Sequence, residues 1–341
     1  MNVVSVLTEL CQLPAVTGFE RADAEAVSAL LAPLVDEVRV DRVGSVVGVR
    51  RCGREHARTV LLDAHLDQIG FVVTEVLEGG FLRFAAVGGI DPRMLLGGEV
   101  EILTEPPLYS VISCTPPHLM KPGEENKSVP IHEMLIDTGL LDARGRVKVG
   151  TPVVFRQKMV QLSKDSITGK CLDDRAGVAS ILYALEKLKN VELAVDLAVL
   201  ISVQEETSSL GAIAGGYALR PDYAIAVDVT HAKSPDAPDE LEYGGGAAIG
   251  LGPNLNTALS KALIRTAKAE GMDYQLEVME GFTGTNAWEL QIAGTGAATA
   301  LLSIPLRYMH TPIETIKLSD LESVGDLMYH FLRTFDGEVR L

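Results

Sequence analysis

Histidine and carboxylate side chains follow several β-rich segments of this 341-residue sequence, directly after the apolar residues end. His65 and Asp67 come after the β-branched and apolar residues 60–62, and Glu205 and Glu206 come after residues 197–203. Both runs predict buried strands, and the carboxyl ends of parallel strands meet at one edge of an α/β sheet, where ligands bind. We therefore expect these four side chains to lie together.

Further histidine and carboxylate side chains also stand at the ends of predicted strands or helices. Asp228 and His310 each come after a predicted strand, and Asp173 with Asp174 stands just before a helix that opens near Gly177. Alone, each feature is most often structural, because a histidine bonds to the backbone and an Asp pair caps the free N–H groups of a helix. Their combination points to a metal site instead, because so many carboxylates at one edge repel each other unless cations are present.

Two divalent cations would neutralise three ligand carboxylates and one bridging hydroxide, and a protein interior tolerates such a neutral centre. Mixed imidazole and carboxylate ligands suit zinc, cobalt or manganese. A hydroxide between two ions is a nucleophile at neutral pH and needs no covalent intermediate. The sequence contains no G-x-S-x-G and no phosphate-loop motif, and the glycine run 244–246 lacks dinucleotide spacing and predicts a flexible loop. Metal-assisted hydrolysis is therefore the predicted chemistry.

The segments that must position these residues show two kinds of sequence pattern. Residues 1–67 and 162–341 alternate helix and strand patterns, and a composition of 47% hydrophobic but only 5% aromatic residues suits an α/β sheet covered by helices. Residues 68–161 are rich in Gly and Pro, with short strand-like runs. This texture predicts a small β-barrel or sandwich inserted into the α/β domain, because a structureless loop of this length is uncommon.

Charge and cysteine usage limit the partners and the setting. The formal net charge of −16 repels phosphate backbones, so we expect no nucleic acid partner, and no basic cluster favours an anionic membrane. The first ten residues lack the basic start of a signal peptide, and no uncharged apolar stretch is long enough to span a bilayer. Four scattered cysteines without a C-x-x-C pair are typical of a reduced, cytoplasmic protein.

The segments that contain these residues resemble the tetrahedral aminopeptidases, dinuclear metallo-exopeptidases of the glutamyl or deblocking type. The resemblance covers nearly the whole chain. It rests on eight segments in this order: T-G-F-E from Thr17, A-H-L-D-Q-I-G-F from Ala64, P-P-H-L from Pro116, G-K-C-L-D-D-R-A-G from Gly169, V-Q-E-E from Val203, D-V-T from Asp228, G-P-N from Gly252 and R-Y-M-H-T-P from Arg307. It implies a mixed central sheet flanked by helices, as in zinc exopeptidases, with an inserted β-barrel.

The resemblance also implies a role for each residue of the predicted site. Glu205 matches the general base, and Asp67 matches the carboxylate that orients a ligand histidine. The Asp173–Asp174 peptide is expected to be cis. The ligands of two divalent ions, zinc or cobalt before manganese, would be His65, Asp173 and Asp228 for one ion and Asp173, Glu206 and His310 for the other.

Peptide substrates and self-association are the partners that the resemblance implies. Members use the inserted β-domain, here residues 68–161, for subunit contacts, in assemblies from dimers to twelve-subunit shells. This sequence departs from the usual pattern at Gln68, where Glu is commoner, at Asn286, where Asp is commoner, and at T-S-S-L in 207–210. None of these is an implied ligand, so the departures bear on substrate preference and assembly.

Three other interpretations remain open. A dinuclear carboxypeptidase or amide deacylase shares the ligand types, but its usual D-x-K-x-G context differs from Asp173-Asp174-Arg175. A glycosidase would need two carboxylates about 5–10 Å apart across one bond, a spacing that the adjacent Glu205 and Glu206 rarely provide. A metal-free binding protein would have little reason to keep every ligand. Assays before and after chelation separate these classes.

Overall fold

The computed structural model describes residues 1–120, 123, 128–235, 237, 238 and 240–339. Within these residues the chain forms eight α-helices and seventeen strands. The helices are α1 (Val3–Gln12), α2 (Ala24–Leu31), α3 (Leu172–Leu188), α4 (Glu205–Ser208), α5 (Leu210–Leu219), α6 (Thr257–Glu270), α7 (Ala287–Leu290) and α8 (Leu318–Thr334). The strands are β1 (Glu37–Val40), β2 (Val46–Arg50), β3 (Thr59–His65), β4 (Gly70–Val76), β5 (Phe81–Val87), β6 (Glu99–Ile102), β7 (Leu108–Ile112), β8 (Ile136–Asp137), β9 (Pro152–Phe155), β10 (Val160–Gln161), β11 (Ser166–Gly169), β12 (Asp196–Ser202), β13 (Tyr223–His231), β14 (Ala247–Leu251), β15 (Tyr274–Val278), β16 (Ala298–Arg307) and β17 (Glu314–Lys317).

Eleven of these strands form one mixed sheet. Strands β12, β3, β13 and β16 are consecutive neighbours and run parallel to each other. Antiparallel strands flank them, with β2 beside β12 and β17 beside β16. Strand β14 also pairs with β16, and β15 pairs in parallel with β14. The carboxyl ends of four parallel strands therefore share one edge of the sheet, as the sequence predicts.

Helices cover both faces of the sheet because its central strands are apolar on both sides. On β3, Val60 and Leu62 belong to the core shared with α1, α3, α6 and α8, whereas Leu61 belongs to the core shared with α5 and α7. Successive side chains of a strand point to opposite faces, which produces this division. The predicted α/β class with a mixed sheet flanked by helices is confirmed. None of the helices described here has the length and apolarity to cross a bilayer.

The other six strands, β4 to β9, close into a barrel in the order β4-β5-β8-β7-β6-β9. The barrel has a hydrophobic core of its own. In that core Phe71 meets Phe84 and Phe155 edge to face, with ring centroids 5.2 and 5.1 Å apart, a favoured arrangement of aromatic rings. The predicted small inserted β-barrel is confirmed.

Two elements next to the predicted site differ from their sequence-based boundaries. Helix α3 begins at Leu172 rather than near Gly177, and Asp173 and Asp174 lie in its first turn with non-helical backbone angles. The peptide between these two residues is cis, as predicted. Strand β13 continues beyond Asp228, because its pairing with β16 persists to His231, which pairs with Leu306. Asp228 therefore lies inside a strand rather than at its end.

Candidate active site

The loops at the carboxyl edge of the parallel strands bring the predicted ligands to one place. Strand β3 ends at His65, and β16 ends three residues before His310. Gln204, between β12 and Glu205, has φ +58°, and His310 has φ +60°. Such left-handed conformations are uncommon for residues other than glycine, and they turn the chain sharply back over the sheet edge.

Asp173 lies at the centre of the cluster and contacts both histidines. Its Oδ1 is 3.1 Å from His65 Nε2, and its Oδ2 is 3.3 Å from His310 Nε2. Glu206 Oε2 is 3.2 Å from the same nitrogen of His310. Ligand atoms of His65, Asp173 and Asp228 lie within 4.8 Å of one another, and so do those of Asp173, Glu206 and His310. The structure thus brings the five predicted ligands into two groups that share Asp173.

Glu205 faces the cluster but belongs to neither group, with Oε2 4.0 Å from His65 Nε2. The backbone amides of Glu205 and Glu206 donate to the two carboxylate oxygens of Asp67 at 3.0 and 3.2 Å, and Thr17 Oγ1 donates to Oδ2 at 2.9 Å. His65 Nδ1 lies 3.1 Å from the main-chain oxygen of Asp67 and 3.6 Å from its carboxylate. Asp67 therefore contacts His65 mainly through its backbone and the Glu205–Glu206 turn through its side chain.

Two buried glutamates that the sequence reasoning missed support this arrangement. The carboxylate of Glu314 accepts hydrogen bonds from the backbone N–H groups of Asp173 at 3.1 Å and His310 at 2.9 Å. The carboxylate of Glu20 accepts one from the N–H of Gln204 at 3.0 Å. Both side chains are 2% exposed. Each lies in or next to a segment that carries the family resemblance, and a carboxylate so close to a motif was the available signal.

The three departures from the family pattern occupy different surroundings. Gln68 Nε2 donates to the carbonyl of Pro14 at 2.9 Å, and buried Asn286 donates through Nδ2 to Asp63 Oδ2 and Ser202 Oγ, both at 2.9 Å. Residues 207–209 instead line the cavity above the cluster. Of the three departures, the T-S-S-L segment is therefore the one with direct access to a bound molecule.

Burial and mutual repulsion control the charges in the cluster. Burial raises the pKa of Asp228 well above its usual range and that of Glu205 to about 7. Burial also opposes ionisation of Asp173, but hydrogen bonds from His310 and His65 outweigh it and lower the pKa of Asp173. Hydrogen bonding, first to Asp173, raises the pKa of His310 to about 11. The two imidazoles alone thus carry too little positive charge for the surrounding carboxylates.

The donor set fits divalent cations. Each group of three combines imidazole and carboxylate ligands, a mixture that suits zinc, cobalt and manganese. A cavity of about 610 Å³ opens over both groups, and no Lys or Arg lines it among the described residues. Divalent cations held by these two groups would balance the buried carboxylates.

Similar structures and sequences come from aminopeptidases. The TET aminopeptidase of a marine-sediment Thaumarchaeota archaeon has a TM-score of 0.92 and 27% identity, and the match covers 98% of both chains. The Pyrococcus horikoshii TET1 peptidase, which can assemble into a tetrahedron or a large octahedral shell, has a TM-score of 0.86 and 28% identity over 98% of this chain and 100% of that one. The lysyl aminopeptidase of Pyrococcus furiosus is 30% identical over 327 residues, which cover 93% of both chains.

The mixed sheet, the inserted barrel and the cluster of histidines and carboxylates together define an α/β exopeptidase of the aminopeptidase class. The family model of the M42 glutamyl aminopeptidases matches residues 44–327, which is most of the chain. The chain belongs to this family, whose members are metal-dependent hydrolases.

Proposed function

We propose that this aminopeptidase uses two divalent cations, zinc or cobalt before manganese, to release the N-terminal residue of peptides. His65, Asp173 and Asp228 would hold one ion, and Asp173, Glu206 and His310 would hold the other. The observation that carries the proposal is the shared carboxylate of Asp173, whose two oxygens face two different histidines at 3.1 and 3.3 Å.

The chain's own residues divide the remaining work. When bound, the two cations would supply the positive charge that activates a water molecule and polarises the scissile carbonyl. Glu205 lies beside both ligand groups without joining either, so its carboxylate is placed to take a proton from the attacking water and pass it to the leaving amine. Asp67 is a positioning residue, because its carboxylate holds the backbone of the Glu205–Glu206 turn.

Metal analysis and chelation test this proposal. Protein purified without chelator should contain about two divalent ions per chain, as expected for two ligand groups that share the carboxylate of Asp173. Chelation should abolish the hydrolysis of aminoacyl p-nitroanilides, and added zinc, cobalt or manganese should restore it. Full activity in metal-free protein would refute the dinuclear proposal while leaving the family membership intact.

We also propose that residues 68–161 form a separate domain for subunit contacts, inserted into a catalytic domain of residues 1–67 and 162–341. The separate barrel core supports this division. Leu141 and Val149, in the segment between β8 and β9, are 95% and 67% exposed. Exposed apolar side chains of this size are candidates for an interface.

A further inference from the structure

The cavity above the cluster has a second wall built from β15, α7 and the residues between them. Its lining there comprises Glu277, Met279, Phe282, Thr283, Gly284, Thr285 and Glu289. Apart from the carboxylates of the cluster, Glu277 and Glu289 are the acidic residues of the lining, and no described Lys or Arg balances them there. The cavity therefore keeps a negative wall even after cations neutralise the cluster.

Glu277 places a hydrogen-bonded carboxylate at this wall. Its carboxylate accepts hydrogen bonds from the hydroxyl of Thr230 and, at 2.6 Å, from Ser303 Oγ. Burial raises the pKa of Glu277, but both hydroxyl donors favour the ionised form. Neither hydroxyl donor brings a positive charge, and His231, which also lines the cavity, is a basic neighbour that favours the ionised carboxylate.

Glu289 provides an acceptor that lacks a donor. Its Oε2 is buried and has no hydrogen-bond partner among the described residues. A buried acceptor without a donor costs stability, and a substrate group that supplies the donor recovers it. The ammonium group of lysine and the guanidinium group of arginine offer only hydrogen-bond donors and no acceptor.

We propose that this wall selects peptides whose N-terminal residue has a cationic side chain, with Glu289 contacting the cation and Glu277 strengthening the negative field. The inference rests on the proposed function, because it assigns the substrate class of the same cavity. Met279, Phe282 and Met309 line the cavity as well, and their apolar surfaces suit the methylene stem of a lysine or arginine. An acidic side chain would be repelled, and a neutral one would leave Glu289 unpaired.

The test measures how fast the protein loaded with divalent metal hydrolyses the p-nitroanilides of lysine, norleucine and glutamate. Norleucine matches the lysine stem but lacks the ammonium group. We expect kcat/KM to be highest for lysine and lowest for glutamate. Glu289→Gln should lower kcat/KM for lysine by about 10- to 100-fold, mainly through KM, since one charged hydrogen bond is lost, and it should leave norleucine nearly unchanged. Glu280→Gln is the matched control, because Glu280 is exposed and does not line the cavity.

Two results overturn the inference. One is a wild-type preference for norleucine or glutamate. The other is an equal loss on all three substrates in Glu289→Gln and Glu277→Gln, which would assign these carboxylates to the α-ammonium group that all substrates share. If no substrate is hydrolysed, the proposed function fails separately. Calorimetry with lysinamide and norleucinamide then decides the inference, which requires tighter binding of lysinamide and loss of that advantage in Glu289→Gln.

Discussion

Glu205 and Glu206 are adjacent residues with the same side chain and different surroundings. Glu206 Oε2 lies 3.2 Å from His310 Nε2 within a ligand group, whereas Glu205 Oε2 comes no nearer than 4.0 Å to His65 Nε2. Both backbone amides are held by Asp67, so the two carboxylates start from one rigid turn. At the level of single residues, the direction of each side chain therefore separates the proposed ligand from the proposed base.

Glutamine at each position tests this separation. Glu206→Gln should weaken the occupancy of one cation site, and excess metal should partly restore activity. Glu205→Gln should keep both ions and lower turnover by about 10²- to 10⁴-fold, the usual contribution of a positioned general base. Calorimetric metal titration beside steady-state kinetics distinguishes them. Loss of an ion in Glu205→Gln with two ions kept in Glu206→Gln would reverse the assignment.

Glu314 is expected to act on the ligands through their backbone. Its carboxylate accepts from the N–H groups of both Asp173 and His310, and a glutamine would replace one acceptor oxygen by a donor. Glu314→Gln should therefore weaken cation affinity by about 10- to 100-fold, as is typical when a residue that orients metal ligands is lost. Calorimetric titration measures this change. Unaltered affinity in the folded variant would limit Glu314 to a structural role.

At the scale of elements, helix α8 shapes the glycine turn before β14. Asp320, in the first turn of α8, is fully buried and accepts hydrogen bonds from the N–H groups of Gly244 at 2.8 Å and Gly246 at 2.9 Å. Gly246 has φ +83°, and a Cβ there would lie 2.3 Å from the carbonyl oxygen of Asp273. The predicted flexible loop is instead a bonded turn whose close packing requires glycine.

The pH dependence of stability tests this turn. Burial raises the pKa of Asp320 to about 6, above the value near 4 of an unfolded chain, with Asp165 and Lys317 as its charged neighbours. The folded carboxyl therefore keeps its proton in a range where the unfolded one releases it. The contribution of the protonated Asp320 carboxyl to the free energy of unfolding is fully present below about pH 4 and is lost as the pH rises through about 6.

We expect the free energy of unfolding of the wild type to fall by about 2 kcal/mol between pH 4 and pH 7 relative to Asp320→Asn, which cannot ionise. Urea unfolding of both proteins across this range measures the difference. If the free energies of unfolding of the two proteins changed in parallel with pH, the pKa of Asp320 would be the same in the folded and the unfolded chain.

At the level of the whole molecule, the chain combines a hydrophobic core on each face of the mixed sheet and a third core in the barrel with a net charge of −16. Charges of one sign on every copy repel, so an assembly needs apolar contacts that outweigh this repulsion. Leu141 and Val149 are exposed apolar residues in the proposed contact domain. The Pyrococcus horikoshii TET1 peptidase, similar over nearly the whole chain, forms closed shells.

Sedimentation velocity tests the proposed contact domain. The wild type should sediment as an oligomer, and Leu141→Asp with Val149→Asp should shift it to smaller species, because new charges at an apolar contact are strongly unfavourable. Ile292→Asp is the matched control, since Ile292 is 69% exposed but belongs to the α/β part. Dissociation by the control alone would place the interface on the α/β part instead.

Local sequence patterns are sufficient to place the predicted ligands relative to the strands. Apolar runs such as 60–62 and 197–203 predict buried strands, and parallel strands share their carboxyl edge, so His65 and Glu206 were expected to meet. The change of texture around 68–161 likewise predicted the inserted barrel. These inferences succeed because they depend on local periodicity and on one general rule of sheet geometry.

Which distant groups complete the site depends on how remote segments of the chain pack together. The contact of Glu314 with Asp173 joins residues 141 positions apart, and Glu277 lines the cavity only because β15 pairs with β14, two strands that the sequence pattern did not predict. Backbone hydrogen bonds that hold the ligand turns and charges that line a cavity arise from the register between remote segments. Local patterns record the period of a segment but not the partner against which it packs.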